Sequence, residues 1–268
     1  MMEFRTQVQI PRASFSIPPC ARVLFVGSCF ADNMGRRFRE EKFRVEANPF
    51  GVMYNPASIL HTIERLEDGY PYVVLTLGTN HIYRLKETGE VVDNCQKRPQ
   101  RLFDEEELSV GECRDYLAQA IRLLVDRCPS VHVIMTVSPI RYAKYGFHGS
   151  QLSKSTLLLA AAEVAEDFAE HVVYFPAYEI LNDELRDYRF YAADMIHPSE
   201  QAVDYIWQRF GETFFAEDTR KFIEEWRPIK EALAHRPFNP TSDEYQDFLA
   251  KAHEKARLLA EKYPGFAI

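Results

Sequence analysis

The sequence lacks any apolar run long enough to cross a membrane. A spanning helix needs about 20 consecutive apolar residues, and no stretch of this 268-residue chain approaches that length. The first residues, Met1–Pro11, mix polar and apolar side chains and lack the apolar centre of a secretory signal. We therefore expect a cytoplasmic protein without a membrane partner.

Cysteine is scarce, and its spacing excludes two common uses. The five cysteines are an odd number, with neither a CxxC pair nor the Cys/His spacing of a zinc site. Reduced thiols that pack as small hydrophobic side chains account for them, with Cys29 as the exception. We expect neither a bound metal nor an organic cofactor.

Positive charge is also in short supply. The 32 lysines and arginines are outnumbered by 40 aspartates and glutamates, which gives a formal net charge of -8. A nucleic-acid backbone requires a basic surface, so we expect no nucleic-acid partner. With 46% hydrophobic and 27% charged residues, the chain has the composition of a globular protein.

A repeating order of strand and helix runs through most of the chain. Short apolar runs, each followed by a polar cluster with proline or glycine, predict five strands: Arg22–Val26, Phe43–Ala47, Tyr72–Leu77, Val131–Val137 and Val172–Phe175. The segments between and after them predict five helices: Ala31–Glu41, Pro56–Arg65, Leu108–Asp126, Ser153–Glu170 and Ser199–Phe215. This order predicts an α/β fold with a doubly wound parallel sheet, whose carboxyl ends share one edge.

Two further regions depart from this order. Residues 82–85 and 91–92 predict a small antiparallel excursion around a turn at residues 87–90. After Gly211 the pattern is helical only, over residues 219–235 and 243–263. We expect residues 1–210 to form the α/β domain and residues 211–268 to form a helical extension packed on it.

Residues suited to nucleophilic catalysis follow the first strand. Gly27-Ser28-Cys29-Phe30-Ala31 predicts a tight turn that places a hydroxyl or a thiol beside the amino end of a helix. Far downstream, Asp194 and His197 provide a general base and a carboxylate to orient it. Because neighbouring side chains point in different directions, either Ser28 or Cys29 is the nucleophile.

The block Gly27–Ala31 resembles the signature of the GSCFA family. Other blocks similar to that family cover most of residues 21–210: Asn48-Pro49-Phe50-Gly51, Tyr54-Asn55-Pro56, Leu77-Gly78-Thr79, Thr136-Val137-Ser138-Pro139, Gln151–Lys154, Tyr174–Glu179 and Asp187–Ser199. The resemblance implies that residues 1–210 are a domain of the SGNH (GDSL-like) hydrolases, a superfamily of esterases and acyl hydrolases built on a flavodoxin-like sheet.

The resemblance also implies roles for particular residues. Alignment on Gly27 places Cys29 at the nucleophile position, whereas the chemistry usual in the superfamily favours Ser28. His197 would be the base and Asp194 its orienting carboxylate. The oxyanion donors would be the Gly51 amide and the Asn80 side chain.

The function implied is hydrolysis of a carboxylic ester on an acylated small molecule or carbohydrate. The alternatives are a non-catalytic binding protein or an acyltransferase with the same pocket, and a redox sensor at Cys29. Arg141 and His148 are candidates for substrate contact, although Arg141 also suits a structural ion pair. Lys154 is, like His148, a candidate for the pocket lining, but a solvated face is favoured for both. The connection over residues 66–71 is shorter than in other family members, which predicts a more open pocket, altered substrate choice or a weaker site.

Overall fold

The structure is a computed structural model that describes residues 6–93, 95 and 98–267, so the first five residues of the Met1–Pro11 segment lie outside it. Its strands and helices follow one another in the order β1 (Arg22–Gly27), α1 (Cys29–Glu40), β2 (Arg44–Ala47), α2 (Pro56–Arg65), β3 (Tyr72–Leu77), β4 (His81–Leu85), β5 (Val91–Val92), β6 (Phe103–Glu107), α3 (Val110–Arg127), β7 (His132–Val137), α4 (Gly146–Asp167), β8 (Val172–Tyr174), α5 (Ala177–Glu179), α6 (Glu200–Phe214), α7 (Glu217–Ala234) and α8 (Asp243–Lys262).

Five of the strands form one parallel sheet in the order β2-β1-β3-β7-β8. This is the strand order of flavodoxin-like sheets, and it confirms the predicted doubly wound fold. Gly27 pairs with Thr76, and Thr76 pairs with Thr136. The carboxyl ends of β1, β3 and β7 therefore lie side by side at one edge.

Helices cover both faces of this sheet because its strands are apolar on both sides. On one face, Leu24 and Leu75 pack with buried residues of α2, α3 and α4. On the other face, Phe25 and Val74 pack with buried residues of α1 and α6. Such continuous apolar strands are typical of parallel sheets buried on both sides.

A second sheet stands beside the carboxyl edge of the first. Its three antiparallel strands have the order β5-β4-β6. The predicted excursion over β4 and β5 is confirmed, whereas β6 was not predicted from the sequence. Because β4 begins only four residues after the end of β3, this small sheet stays next to the polar strand ends.

The helices α7 and α8 pack against each other at the carboxyl end of the chain. Phe222, Trp226 and Leu259 form the centre of this contact. The Trp226 indole also donates a hydrogen bond to the Glu40 carbonyl at the end of α1, at 2.8 Å, which ties the helical extension to the sheet domain. In the described part of the chain, no helix combines the length and apolarity needed to cross a bilayer.

Candidate active site

The end of β1 lies so close to β3 that only glycine fits there. Gly27 has a φ of +140°, and a Cβ atom on it would lie 2.1 Å from the Thr76 carbonyl oxygen. The Gly27 amide donates to Asn48 Oδ1 at 2.9 Å. These contacts fix the point at which the chain leaves the sheet and turns into α1.

Ser28 directs its hydroxyl into the protein. The residue is 1% exposed, and its Oγ lies 3.1 Å from Thr76 Oγ1. The same Oγ caps α1 by accepting a hydrogen bond from the Phe30 amide at 3.3 Å. The hydroxyl therefore has a structural position at the start of the helix.

Cys29 is the first residue of α1 and faces a cleft. The residue is half-buried, and its Sγ lies 3.8 Å from the Tyr54 hydroxyl. The first amides of a helix have no carbonyl one turn earlier to which they can donate. The thiol and its own amide thus lie together at the positive end of the helix dipole.

Asp194 and His197 form a hydrogen-bonded pair within one short loop. Asp194 Oδ2 lies 2.7 Å from His197 Nδ1, while its Oδ1 accepts from the amides of His197 and Ile196 at 3.0 and 2.9 Å. The hydrogen bonds from these two amides, and then that from the His197 ring, lower the pKa of Asp194 to about 2. With Nδ1 held by the carboxylate, Nε2 is the ring nitrogen left for proton transfer.

Arg141 holds this loop against the end of β7. Its guanidinium donates to the Met195 carbonyl at 2.9 Å, and its own amide donates to the Ile196 carbonyl at 3.0 Å. The guanidinium also stacks over the rings of Phe147 and Tyr191, with centroid distances of 3.8 and 5.1 Å. Arg141 was predicted to contact substrate or to form a structural ion pair. Its contacts are structural, but its partners are a backbone carbonyl and aromatic rings instead of a carboxylate.

Cys29 and His197 line the same cleft, which has a volume of about 390 Å³. The floor comes from the ends of the parallel strands, and one wall comes from the small antiparallel sheet. Most of the lining is aromatic or carries hydrogen-bonding groups: Tyr54, Thr79, His81, Tyr83, Asp93, Arg141, Tyr142, Lys144 and Tyr145. The structure therefore places the predicted base and both candidate nucleophiles, Ser28 and Cys29, in the lining of one cleft.

A polar cluster centres on Glu105 of β6. Its carboxylate accepts hydrogen bonds from Lys144 at 2.8 Å, from Tyr83 at 3.0 Å and from Tyr145. Partial burial alone would raise the pKa of Glu105, but these three donors together lower it. The Tyr145 ring stacks on His81 with centroids 3.6 Å apart. This cluster gives the wall of the cleft a charged and aromatic surface.

Four of the predicted site residues are not in the lining of the cleft: Asp194, whose partner His197 is in it, and Gly51, Asn80 and His148. The Gly51 amide donates to the Asn48 carbonyl at 2.9 Å in a turn, because the residues after β2 fold back on themselves. Asn80 is buried, and its amide nitrogen donates to the Leu108 carbonyl at 2.8 Å. His148 is exposed on the first turn of α4. The structure therefore does not bring the predicted oxyanion donors to the cleft, and His148 has the exposed position that was favoured over substrate contact.

The expectation of a solvated Lys154 is also wrong. The side chain is 1% exposed, and its Nζ donates to the carbonyls of Gly78 and Ser138 at 2.6 and 2.9 Å. These carbonyls follow β3 and β7, so Lys154 joins two strand ends beneath the cleft. Burial lowers its pKa to about 7.

No group of three potential metal ligands clusters anywhere in residues 6–93, 95 and 98–267. A larger groove of about 1080 Å³ lies between the segment 7–16 and the end of α6. That groove contains none of the predicted site residues, so the cleft at Cys29 is where the predicted chemistry converges.

Sequence comparison gives two matches. The GSCFA family matches residues 22–73 and 68–210, and the carboxyl-terminal domain of GSCFA domain proteins matches residues 226–268. The chain belongs to the GSCFA family. No curated protein matches the sequence.

Solved structures resemble the sheet domain of this GSCFA protein. A Parabacteroides merdae protein assigned as a GDSL-like lipase is 10% identical with a TM-score of 0.50, and the match covers 76% of this chain and 98% of that one. A Lactobacillus plantarum protein is 11% identical with a TM-score of 0.50, over 75% of this chain and 100% of that one. A variant of an acetyl-xylooligosaccharide esterase from Geobacillus is 12% identical with a TM-score of 0.47, over 74% and 96%. The fold is that of the SGNH hydrolases.

Proposed function

We propose that this GSCFA protein is an acyl hydrolase that uses Cys29 as its nucleophile. One observation carries the proposal: half-buried Cys29, whose Sγ lies 3.8 Å from the hydroxyl of Tyr54 in the cleft lining, shares that cleft with His197. Ser28 also belongs to the lining of the cleft, but it is buried, and its Oγ is engaged by Thr76 Oγ1 and by the Phe30 amide. The Asp194–His197 pair has the contact expected of a base and its orienting carboxylate.

The proposed reaction has two steps. His197 Nε2 takes the proton of the Cys29 thiol while the sulfur attacks the acyl carbon of an ester. The alcohol leaves with that proton, and a thioester remains on Cys29. Water then attacks the thioester, His197 takes a proton from the water, and the proton returns to the sulfur as the carboxylic acid departs. The Cys29 amide is one donor for the oxyanion formed in each step.

The lining of the cleft supports an acylated small molecule or carbohydrate as substrate. Tyrosine rings supply flat apolar surface, and Lys144, which donates to Glu105, and Asp93 supply charged hydrogen-bonding groups at the wall. Ligand sites combine these two kinds of surface, with the polar groups fixing the orientation. The fold shared with a GDSL-like lipase is compatible with the same reaction class.

Substitutions at the two candidate nucleophiles test this proposal. Hydrolysis of p-nitrophenyl acetate should fall by roughly a thousandfold or more in Cys29→Ala and His197→Ala. Ser28→Ala should retain activity within about tenfold of the wild type, since its hydroxyl caps a helix. Activity that survives in Cys29→Ala but is lost in Ser28→Ala would assign the serine. A wild-type protein that binds acylated ligands without turnover would support the binding alternative.

A further inference from the structure

The cleft contains a tyrosine hydroxyl that lies beside the proposed nucleophile. The Tyr54 hydroxyl lies 3.8 Å from Cys29 Sγ, and both groups line the cleft. In a tetrahedral intermediate the oxyanion is bonded to the carbon that the sulfur attacks, so it lies within about 3 Å of both sulfur and donor. A hydroxyl at this distance from the sulfur is therefore within reach of the oxyanion.

The backbone of Tyr54 is fixed by the neighbouring strand end. Its carbonyl accepts hydrogen bonds from the amides of Gly78 and Thr79 at 3.0 and 2.8 Å. A Cβ atom at Gly78 would lie 2.8 Å from that carbonyl oxygen, so this approach depends on the glycine. The Tyr54 ring also meets Tyr142 edge to face, with centroids 6.0 Å apart. The hydroxyl is thus positioned before any substrate arrives, as effective oxyanion donors are.

The hydroxyl keeps its proton under ordinary conditions. Burial, followed by the proximity of Cys29, raises the pKa of Tyr54 to about 12. Within the described residues, the Cys29 sulfur is the one hydrogen-bond partner of this hydroxyl. A protonated hydroxyl in the cleft lining, beside the sulfur, can donate to a charge that develops there.

The two donors predicted from the superfamily do not fill this role. The Gly51 amide and the Asn80 amide nitrogen donate to carbonyl groups outside the cleft. The Cys29 amide alone would leave the oxyanion with a single donor. We propose that the Tyr54 hydroxyl is the side-chain donor that stabilises the oxyanion formed when Cys29 attacks an acyl group. This role rests on the proposed acyl-hydrolase function.

Rapid-quench mass spectrometry of acyl-enzyme formation tests the role of Tyr54. The wild type and Tyr54→Phe are mixed with increasing concentrations of p-nitrophenyl acetate, and the acetylated fraction is followed over time. The limiting acylation rate should fall about a hundredfold in Tyr54→Phe. The half-saturating substrate concentration should change little, because the hydrogen bond strengthens only in the transition state.

Tyr72→Phe is the matched control. It removes a hydroxyl that donates to the Ser16 carbonyl at 3.1 Å, at the opposite end of β3, and it should acylate at the wild-type rate. An equal rate in Tyr54→Phe and Tyr72→Phe would overturn the role of Tyr54 and leave the hydrolase proposal intact. A change in the half-saturating substrate concentration without a change in the limiting acylation rate would make Tyr54 a substrate-binding residue. That result would also overturn its role as an oxyanion donor. A wild type that is never acetylated would overturn the proposed function itself.

Discussion

The two sides of the cleft are built in different ways. On the nucleophile side, residues 27–29, the contacts run to distant parts of the sequence, including Asn48 and Thr76. On the histidine side, residues 194–197, the carboxylate bonds to amides and a ring in its own loop, and Arg141 supplies the external support. On the first side Ser28 is buried and Cys29 is half-buried, whereas the side chains of Asp194 and His197 are 47% and 41% exposed.

Because of this difference, we expect substitutions on the two sides of the cleft to change different properties of the protein. Substitutions on the nucleophile side or beneath it disturb packed interior groups, so they should change the free energy of unfolding. Substitutions on the histidine side affect an exposed loop, so they should lower turnover while leaving stability nearly unchanged. Each side can therefore be perturbed separately.

The largest expected effect is on the histidine side, in Asp194→Asn. Asparagine Oδ1 can still accept the two amide hydrogen bonds, but the charge that orients and stabilises the His197 ring is lost. We expect kcat/KM for p-nitrophenyl acetate to fall by about a thousandfold, with an unchanged urea-unfolding midpoint. A lower urea-unfolding midpoint in Asp194→Asn, together with the fall in kcat/KM, would show that the loop is a structural support instead.

A pH-dependent effect is expected beneath the nucleophile side, in Lys154→Met. In the unfolded chain the lysine holds its proton up to its ordinary pKa of 10.5, whereas in the folded protein the pKa is about 7. Burial of the charged Lys154 amine therefore lowers the free energy of unfolding by its full amount below pH 7. This penalty disappears as the pH rises toward 10.5.

The measurement is the difference in unfolding free energy between the wild type and Lys154→Met. Between pH 7 and pH 10 this difference should shift in favour of the wild type by up to about 1.4 kcal/mol per pH unit. Urea titrations at both pH values provide it. A difference that is the same at both pH values would mean that the buried amine keeps its proton.

A smaller effect on activity is expected in Arg141→Ala. The substitution removes the bond to the Met195 carbonyl but leaves the backbone bond to Ile196 in place. Because the loop becomes less well positioned, kcat/KM should fall about tenfold. Arg189→Ala removes another arginine of the same region that stacks on Phe190, and its activity should match the wild type. Equal activity in both variants would refute a positioning role for Arg141.

The smallest effect is expected in Ser28→Ala, and it concerns stability. Loss of the helix cap and of the contact with Thr76 should lower the free energy of unfolding by about 1 kcal/mol. Ser109→Ala removes the corresponding cap of α3, far from the cleft, and should cost a similar amount. A loss of turnover in Ser28→Ala beyond about tenfold, without such a loss in Ser109→Ala, would indicate a chemical role for the Ser28 hydroxyl.

The sheet was predictable because its strands are short apolar runs ending in turn residues. The observed bounds of the five parallel strands differ from the predicted bounds by at most one residue at either end. The strand β6 escaped prediction because four of its five residues are acidic and its pairing with β4 is a backbone interaction. The helix α4 begins at Gly146, seven residues before the predicted start. The prediction missed these first turns because they contain two glycines, and glycine is unfavourable inside a helix.

The site was predictable where the residues are close in sequence. Asp194 and His197 are three residues apart, so one loop brings them together. The orientations of Ser28, Asn80 and Lys154 depend instead on packing between distant elements. A lysine between Ser153 and Ser155 gives no local sign that two strand-end carbonyls lie beneath it.

Locating the acyl group during turnover tests the central claim most directly. The wild-type protein is quenched in acid while it hydrolyses p-nitrophenyl acetate, digested with pepsin, and the peptide containing residues 28 and 29 is fragmented in the mass spectrometer. We predict one acetyl group, carried by the sulfur of Cys29. An acetyl group on the oxygen of Ser28, or continued hydrolysis with neither residue modified, would contradict the account.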